Sequence, residues 1–150
     1  RFNLFEVGEA RVMLDYGHNP DGYAQAIAFL ERQGARRLVG VIGVPGDRRD
    51  DAGAGIGKLC GRRFQRLFIK EDEDLRGRKP GEVAQLLLDA AREAGGVALK
   101  AEVIPSELNA LACALDEAHP GDLIAVFFEH YEPLRALIRT RTIQPIPIKK

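Results

Sequence analysis

Residues 15–20, Asp-Tyr-Gly-His-Asn-Pro, combine groups that bind hydroxyls and phosphate at a point where an apolar run ends and a helical pattern begins. At such a turn the first backbone N–H groups and the dipole of the helix attract anions. Asp15 and His18 add side chains that can bind a ribose hydroxyl and phosphate oxygens. Asn19 and Pro20 suit the N-cap and the first helical position, so a capped turn without a ligand explains that pair almost as well. The motif predicts a ribose and phosphate site and leaves the structural turn open.

A second polar segment, residues 46–50 with the sequence Gly-Asp-Arg-Arg-Asp, directly follows a nearly continuous apolar run. Its glycine permits close backbone approach, and its arginines can fork onto phosphate or carboxylate. Asp47 and Arg48 are therefore candidates for the same site. A charged, solvated turn is an equally good interpretation of this segment alone.

A third segment, residues 71–82, has an acidic run followed at once by a basic one. Arg76 and Arg78 can hold a carboxylate, while the preceding acidic residues can hold an amine, a guanidinium or a metal-bound nucleotide. The segment favours a zwitterionic or charged substrate. A surface loop that neutralises its own charges is the alternative.

Several catalytic patterns are missing from the sequence. It has no nucleophile elbow, no Cys/His triad spacing and no zinc-ligand spacing, which disfavours hydrolases and metalloenzymes. His130 follows a predicted strand, but a lone histidine there is more often a structural hydrogen-bonding group. Neither Gly-x-x-x-x-Gly-Lys-Ser/Thr nor Gly-x-Gly-x-x-Gly occurs, so a P-loop that served this chain would have to lie elsewhere.

Composition places the chain among globular proteins. Its 150 residues are 45% hydrophobic and 29% charged, which suits one domain with a real core. Lys plus Arg equals Asp plus Glu at 22 each, so net charge indicates no nucleic-acid partner. Cys60 and Cys113 lie in apolar helical patterns and are expected to be buried thiols of a cytoplasmic protein. No apolar run approaches membrane-spanning length, and the start has neither the form of a signal peptide nor a methionine, so we expect a fragment of a longer protein.

The elements that must position these residues follow from periodicity. Residues 2–7 and 10–15 predict an antiparallel hairpin around Gly-Glu, and strands then alternate with helices. Alternation of this kind predicts an α/β, Rossmann-like, mostly parallel sheet flanked by helices, with its ligand loops beyond the carboxyl ends of the strands. The predicted helices cover residues 22–33, 50–62, 81–94, 106–118 and 132–140, and the remaining strands residues 37–44, 66–70, 101–104 and 122–128.

The three segments, in this order, resemble the C-terminal domain of the Mur ligase superfamily. Residues 15–20 match its Asp-x-x-His-Asn-Pro loop, and residues 46–50 are similar to the Gly-Asp-Arg-Asp loop of its tripeptide-synthesising members. Residues 1–7 and 74–82 resemble segments of the cyanophycin synthetases within that superfamily. The resemblance implies one domain of this kind over residues 1–143, followed by a Pro-rich tail at 144–150.

The resemblance also implies a function. These enzymes use ATP and Mg²⁺ to form an acyl phosphate that an amino acid attacks, and a central P-loop domain of the same chain carries most of the metal ligands. Transferred by position, Asp15 would bind the ribose, His18 would approach the phosphates and Asn19 would shape the turn, with Asp47 and Arg48 beside them. The substrate-selecting segment would contribute Arg76, Arg78 and Glu82.

A cyanophycin synthetase would add arginine to the β-carboxyl of a poly-aspartate backbone. Another Mur-type ligase, of the peptidoglycan or folylpolyglutamate kind, and a non-catalytic nucleotide-binding regulatory module remain alternatives. A homo-oligomer is compatible with each of them, and no membrane or nucleic-acid partner is expected.

Overall fold

Strands and helices alternate along residues 3–17 and 19–143, the part of the chain that the computed structural model describes. The predicted tail at residues 144–150 lies outside this part. The strands are β1 (Asn3–Val7), β2 (Ala10–Asp15), β3 (Arg37–Ile42), β4 (Arg66–Ile69), β5 (Lys100–Val103) and β6 (Asp122–Phe127). The α-helices are α1 (Pro20–Glu31), α2 (Asp50–Arg63), α3 (Glu82–Gly95), α4 (Glu107–Asp116) and α5 (Tyr131–Ile143), with a short 3-10 helix at Gly96–Ala98.

The strands of this part form one sheet in the order β1-β2-β6-β3-β4-β5. β1 pairs with β2 antiparallel, and every other neighbouring pair is parallel. The Rossmann-like fold with an N-terminal antiparallel hairpin is therefore confirmed. β2 and β3 are consecutive in the chain but not adjacent in the sheet, because β6 lies between them.

Helices cover both faces of the sheet, and β6 shows how its sequence serves both. Leu123, Ala125 and Phe127 belong to the apolar core that contains side chains of α1, α2 and α3. Ile124 and Val126 belong to the core on the other face, with side chains of α4 and α5. Because side chains alternate along a strand, a strand buried on both faces must be largely apolar, as residues 123–127 of β6 are.

Two helices begin at a residue whose side chain caps the first turn. Asn19 accepts a hydrogen bond from Gly22 N–H at 2.7 Å, so α1 starts at Pro20, two residues before the predicted start at residue 22. Ser106 accepts one from Asn109 N–H at 3.2 Å and caps α4. Both caps depend on residues within one turn, which explains why the sequence indicates them.

Helices α2 and α3 approach each other closely. A Cβ placed on Gly61 would lie 2.3 Å from the carbonyl oxygen of Ala91, and one placed on Gly57 would lie 2.8 Å from the Cβ of Ala90. The glycines that weaken the helical pattern of α2 are thus the residues that let α3 pack against it.

The two cysteines differ in solvent exposure. Cys60 is buried, whereas Cys113 is only partly buried, so the expectation of two buried thiols was wrong for Cys113. Cys113 packs at the periphery of the core that contains side chains of α4 and α5. Among the described residues, the helices are too short or too polar to cross a membrane.

Candidate functional site

Four loops meet beyond the carboxyl ends of β2, β3, β4 and β6, and a cleft of about 290 Å³ lies between them. This volume is at the lower end of the range of roughly 300–1,000 Å³ for ligand pockets, so it suits a small ligand. Ten residues line the cleft: Tyr16, Gly43, Pro45, Lys70, Asp72, Arg76, Phe127, Phe128, Glu129 and His130. A second, more open depression of about 320 Å³ adjoins it and is lined by Pro45, Asp47, Arg48 and Arg76.

Asp15 ends β2 at the floor of this edge, with only 6% of its surface exposed. A Cβ on Gly17 would lie 3.2 Å from its Oδ2 atom, so the glycine lets the turn fold closely over the carboxylate. Beside it, the ring of Tyr16 is 60% exposed and lies 5.4 Å from that of Phe128, centroid to centroid. His18 lies outside the described residues.

The N-terminus of α1 offers fewer free donors than the sequence suggests. Gly22 N–H is taken by the Asn19 side chain, Tyr23 N–H donates to the Asn19 carbonyl at 3.0 Å, and Pro20 has no N–H. Asp21 adds a negative charge in the first turn. The cap and the first helical hydrogen bond thus engage two of the amides at this end, and phosphate binding by the turn stays a prediction.

The loop after β3 is anchored from below by Tyr23. Its buried hydroxyl donates to Gly43 O at 2.7 Å and accepts from Gly43 N–H at 3.2 Å. Burial raises the pKa of Tyr23 well above its ordinary value, so the hydroxyl keeps the proton that it donates. Further along the same loop, Arg48 has a buried Nε that lacks a hydrogen-bond partner within the described part of the chain. A buried N–H without a partner is costly, and the same Arg48 side chain lines the open depression, where its guanidinium could meet an anionic ligand.

Arg76 projects between the two depressions from a backbone of positive φ, +52°. Such a conformation is uncommon for a residue with a side chain, and Asp74 supports it by accepting from Arg76 N–H at 3.0 Å. The guanidinium donates to Asp47 at 2.9 Å and lies 3.2 Å from Asp74. Two residues predicted for different roles, Asp47 and Arg76, are thus brought into contact.

Arg78 and Glu82 contact each other and the neighbouring loop. The Arg78 guanidinium donates to Glu82 at 2.5 Å, to Asp50 at 2.7 Å and to the carbonyl oxygens of Gly46 and Arg48 at 2.9 Å. Hydrogen bonding to Arg78 lowers the pKa of Glu82 below its ordinary value. Arg78 therefore joins the loop after β4 to the loop after β3.

The acidic run of residues 71–74 is largely engaged within the protein. Glu71 accepts from Gly81 N–H at 2.9 Å, Asp72 from Lys70 at 3.2 Å, and Asp74 contacts Arg76. Glu73, whose side chain is 83% exposed, lies 3.3 Å from His130 Nε2. The loop thus neutralises much of its own charge, and Glu73 is its most accessible carboxylate.

Sequence reasoning missed two residues at this edge, Lys70 and Glu107. The Lys70 side chain is 3% exposed and that of Glu107 is 10% exposed, and the Lys70 ammonium lies 2.9 Å from the Glu107 carboxylate. That carboxylate also accepts from the backbone N–H groups of Glu129 at 2.6 Å and His130 at 3.0 Å. The one available signal was a lysine directly after an apolar strand and a glutamate directly after an N-cap.

His130 lies between two carboxylates. Its Nε2 is 3.3 Å from Glu73 and 3.4 Å from Glu129. One nitrogen or oxygen atom from each of the three side chains lies within 4.8 Å of the other two, so His130 and the two glutamates form one compact polar cluster.

Comparison with known proteins identifies the family. Residues 1–127 match the family described as Mur ligase, glutamate ligase domain. A cyanophycin synthetase from Crocosphaera subtropica is 39% identical over 141 residues, which cover 94% of this chain and 16% of that protein. The chain thus spans about one sixth of the length of that curated relative.

Solved structures agree on the fold. A UDP-N-acetylmuramoyl-L-alanyl-D-glutamate–2,6-diaminopimelate ligase superposes with a TM-score of 0.75 at 16% identity, over 95% of this chain and 31% of that one. The FolC protein of E. coli, solved in complex with DHPP and ADP, superposes with a TM-score of 0.67 at 20% identity, over 93% and 30%. The family match covers most of the chain and the solved structures share its fold, so this chain belongs to the C-terminal domain family of the Mur ligases.

Proposed function

We propose that the chain is the C-terminal domain of an ATP-dependent amide ligase that adds an amino acid to a carboxylate through an acyl phosphate. We further propose arginine as the amino acid and the β-carboxyl of a poly-aspartate backbone as the acceptor. The observation that supports this best is the meeting of a buried acceptor, Asp15, an unpartnered donor, Arg48 Nε, and a small charged cleft at one edge of the sheet.

The nucleotide side of the site consists of Asp15, His18, Asn19, Asp47 and Arg48. The Asp15 carboxylate suits ribose hydroxyls, because it accepts hydrogen bonds in a place largely shielded from water. Arg48 would donate its free N–H to a phosphoryl oxygen, which removes the cost of leaving that donor without a partner. Asn19 holds the turn that follows Asp15 through its cap on α1.

The amino-acid side lies at the cleft. Arg76 would bind the α-carboxylate of the amino acid, since a guanidinium matches a carboxylate with two hydrogen bonds. Glu73 and Glu129 would face a guanidinium or ammonium on its side chain, in the position where His130 now lies between them. We assign Arg78 and Glu82 to the same substrate loop, where they act by holding it against residues 46–50.

ATP and Mg²⁺ supply the activated phosphoryl group when they are bound, and a P-loop domain of the same longer protein would provide most of the metal ligands. This chain would orient the ribose through Asp15, contact phosphate through Arg48 and hold the amino acid so that its amine meets the activated carboxyl. Proximity and orientation of this kind lower the barrier of a reaction between two bound groups.

The test uses the full-length enzyme with ATP, Mg²⁺ and an aspartate-rich primer, and measures incorporation of radiolabelled arginine, lysine, glutamate or diaminopimelate. Arg76→Ala should reduce kcat/KM by about 30-fold or more, equivalent to about 2 kcal/mol, because it removes a charged hydrogen-bond donor to the substrate. Arg49→Ala is the matched control, since the Arg49 side chain is 85% exposed and pairs only with its neighbour Asp51 among the described contacts.

The outcomes separate the alternatives. Arginine incorporation that depends on Arg76 supports the whole proposal, whereas incorporation of another amino acid retains the ligase and rejects arginine. If basal activity of the full-length protein survives Asp15→Ala and Arg76→Ala unchanged, the regulatory module is favoured and the ligase assignment of this site is wrong.

A further inference from the structure

Three backbone amides hold the loop between β6 and α5, which carries Glu129 and His130 to the cleft. Phe128 N–H donates to the carbonyl oxygen of Asp15 at 2.9 Å. The next two amides, of Glu129 and His130, both donate to the Glu107 carboxylate, at 2.6 and 3.0 Å. One carboxylate, from α4, therefore determines the course of the loop at two of its three residues that line the cleft.

Glu107 is well suited to hold this loop. It is the first residue of α4, where the helix dipole stabilises a negative charge. Hydrogen bonds from amides to a carboxylate are stronger than those to a neutral acceptor, and each of the two oxygens takes one amide.

Lys70 supplies the opposite charge. Its ammonium lies 2.9 Å from Glu107 and 3.2 Å from Asp72, so it links the loop after β4 to α4. A buried ammonium is costly without partners, and both of its carboxylate partners are mostly buried as well. The aliphatic part of Lys70 passes Gly43, where a Cβ would lie 2.9 Å from its Cδ and Cε atoms. Gly43 thus leaves the space through which Lys70 reaches Glu107.

We propose that Glu107, with Lys70 as its counter-charge, is a positioning residue for the amino-acid substrate. It sets the course of the loop that presents Glu129 and His130 while contacting neither ATP nor the reacting groups. This inference rests on the proposed function, because it assigns Glu107 to the amino-acid side of that site and not to its nucleotide side.

The test compares Glu107→Gln with the wild-type full-length enzyme. A glutamine has one acceptor oxygen where the carboxylate has two, so one of the two amides loses its acceptor and faces an N–H group. We expect the KM for the amino acid to rise roughly 10- to 100-fold, the effect of a misplacement of about 1 Å. The KM for ATP should stay within about twofold of the wild-type value, because Glu107 accepts from two loop amides and Lys70, and the proposed function assigns none of these to the nucleotide side.

Glu117→Gln is the matched control. Glu117 also accepts from a buried cation, Arg66, whose side chain is 3% exposed. When Glu117 is replaced, Arg66 still has Glu102 as a partner, just as Lys70 still has Asp72 when Glu107 is replaced. Arg66 begins β4, at the opposite end of the strand from the cleft. A general loss of stability would affect both variants, whereas a positioning role affects Glu107→Gln alone.

If Glu107→Gln folds poorly, the positioning role can still be tested with a second variant, Glu107→Asp, and with amide NMR spectra. Glu107→Asp retains the charge and both acceptor oxygens on a shorter side chain, and should raise the amino-acid KM by a smaller factor with the KM for ATP unchanged. In ¹H–¹⁵N spectra of the 150-residue chain, the amide signals of Glu129 and His130 should move in both Glu107 variants and stay in place in Glu117→Gln.

An unchanged amino-acid KM in both Glu107 variants, or an equal rise in Glu107→Gln and Glu117→Gln, would overturn the positioning role. Failure of the wild-type enzyme to ligate any of the four amino acids would instead overturn the proposed function. The amide signals distinguish the two failures, since they report the contact of Glu107 with the loop whether or not the enzyme is active.

Discussion

The contact between α2 and α3 allows a sharp prediction, because α2 contains both a glycine that touches α3 and one that does not. Gly61 is buried, and a Cβ placed on it would lie 2.3, 2.8 and 2.9 Å from the O, Cα and C atoms of Ala91. A Cβ on Gly55, in the same helix and exposed, meets no atom within 4 Å. Replacing each glycine by alanine therefore adds the same methyl group to one helix in two environments.

The expected energies have opposite signs. Alanine is favoured over glycine in a helix by about 1 kcal/mol, so Gly55→Ala should stabilise the chain by about 0.5–1 kcal/mol. At Gly61 the methyl group would need about 1 Å of additional separation from Ala91 O to reach ordinary contact at 3.4 Å. The atoms it meets are backbone and cannot rotate away, so the overpacking cost lies toward or above the top of the usual range of about 1–3 kcal/mol. After the gain in helix propensity, Gly61→Ala should destabilise the chain by about 2 kcal/mol or more.

Urea unfolding of the chain, followed by circular dichroism at 222 nm, measures both variants. We expect the midpoint of Gly55→Ala to lie above that of the wild type and the midpoint of Gly61→Ala to lie below it, with similar m-values. Equal stabilisation by the two substitutions would refute the close approach of α2 to α3. The approach matters for function, because these two helices begin directly after the loops that carry Arg48 and Arg76.

The other predictions concern titration and thiol chemistry. Hydrogen bonding from Arg66 lowers the pKa of Glu117 below its ordinary value of 4.5. The ionised Glu117 carboxylate therefore stabilises the folded chain fully above pH 4.5, and this stabilisation is lost as the pH falls through the lower folded-state pKa. In urea unfolding, the difference in the free energy of unfolding between wild type and Glu117→Gln should accordingly become smaller in acid. A difference that grows in acid would contradict this sign. Burial raises the pKa of Cys60, so a thiol reagent at neutral pH should label the partly buried Cys113 first, as mass spectrometry can follow, and Cys60 only as the chain unfolds. Labelling of both thiols at one rate in the folded chain would exclude the burial of Cys60.

The parts of the fold that depend on neighbouring residues could be predicted from the sequence. The alternation of strands and helices, the hairpin around Gly8 and the caps at Asn19 and Ser106 all follow from periodicity or from contacts within one turn. The carboxyl-edge location of the three polar loops follows as well, because a parallel sheet brings the ends of its strands together.

Contacts between distant residues could not be predicted in the same way. Lys70 ends an apolar strand and Glu107 begins a helix, and no local pattern indicates that they pair at 2.9 Å. Arg78 resembled a substrate ligand in the sequence, yet it donates to four protein acceptors, because folding brings residues 46–50 against it. Such pairings depend on where whole elements lie, and that is decided by packing across the sheet.

The sequence by itself determined the family, the α/β class and the loops in which charged and polar residues are concentrated, since these depend on motifs and on the periodicity of apolar residues. Only the tertiary structure decided the insertion of β6 between β2 and β3, which brings the β6–α5 loop beside Asp15. It also decided which charged residues are engaged within the protein and which face the cleft. The physical reason is that a side chain's type limits what it can bind, whereas its partners are determined by the elements that folding places around it.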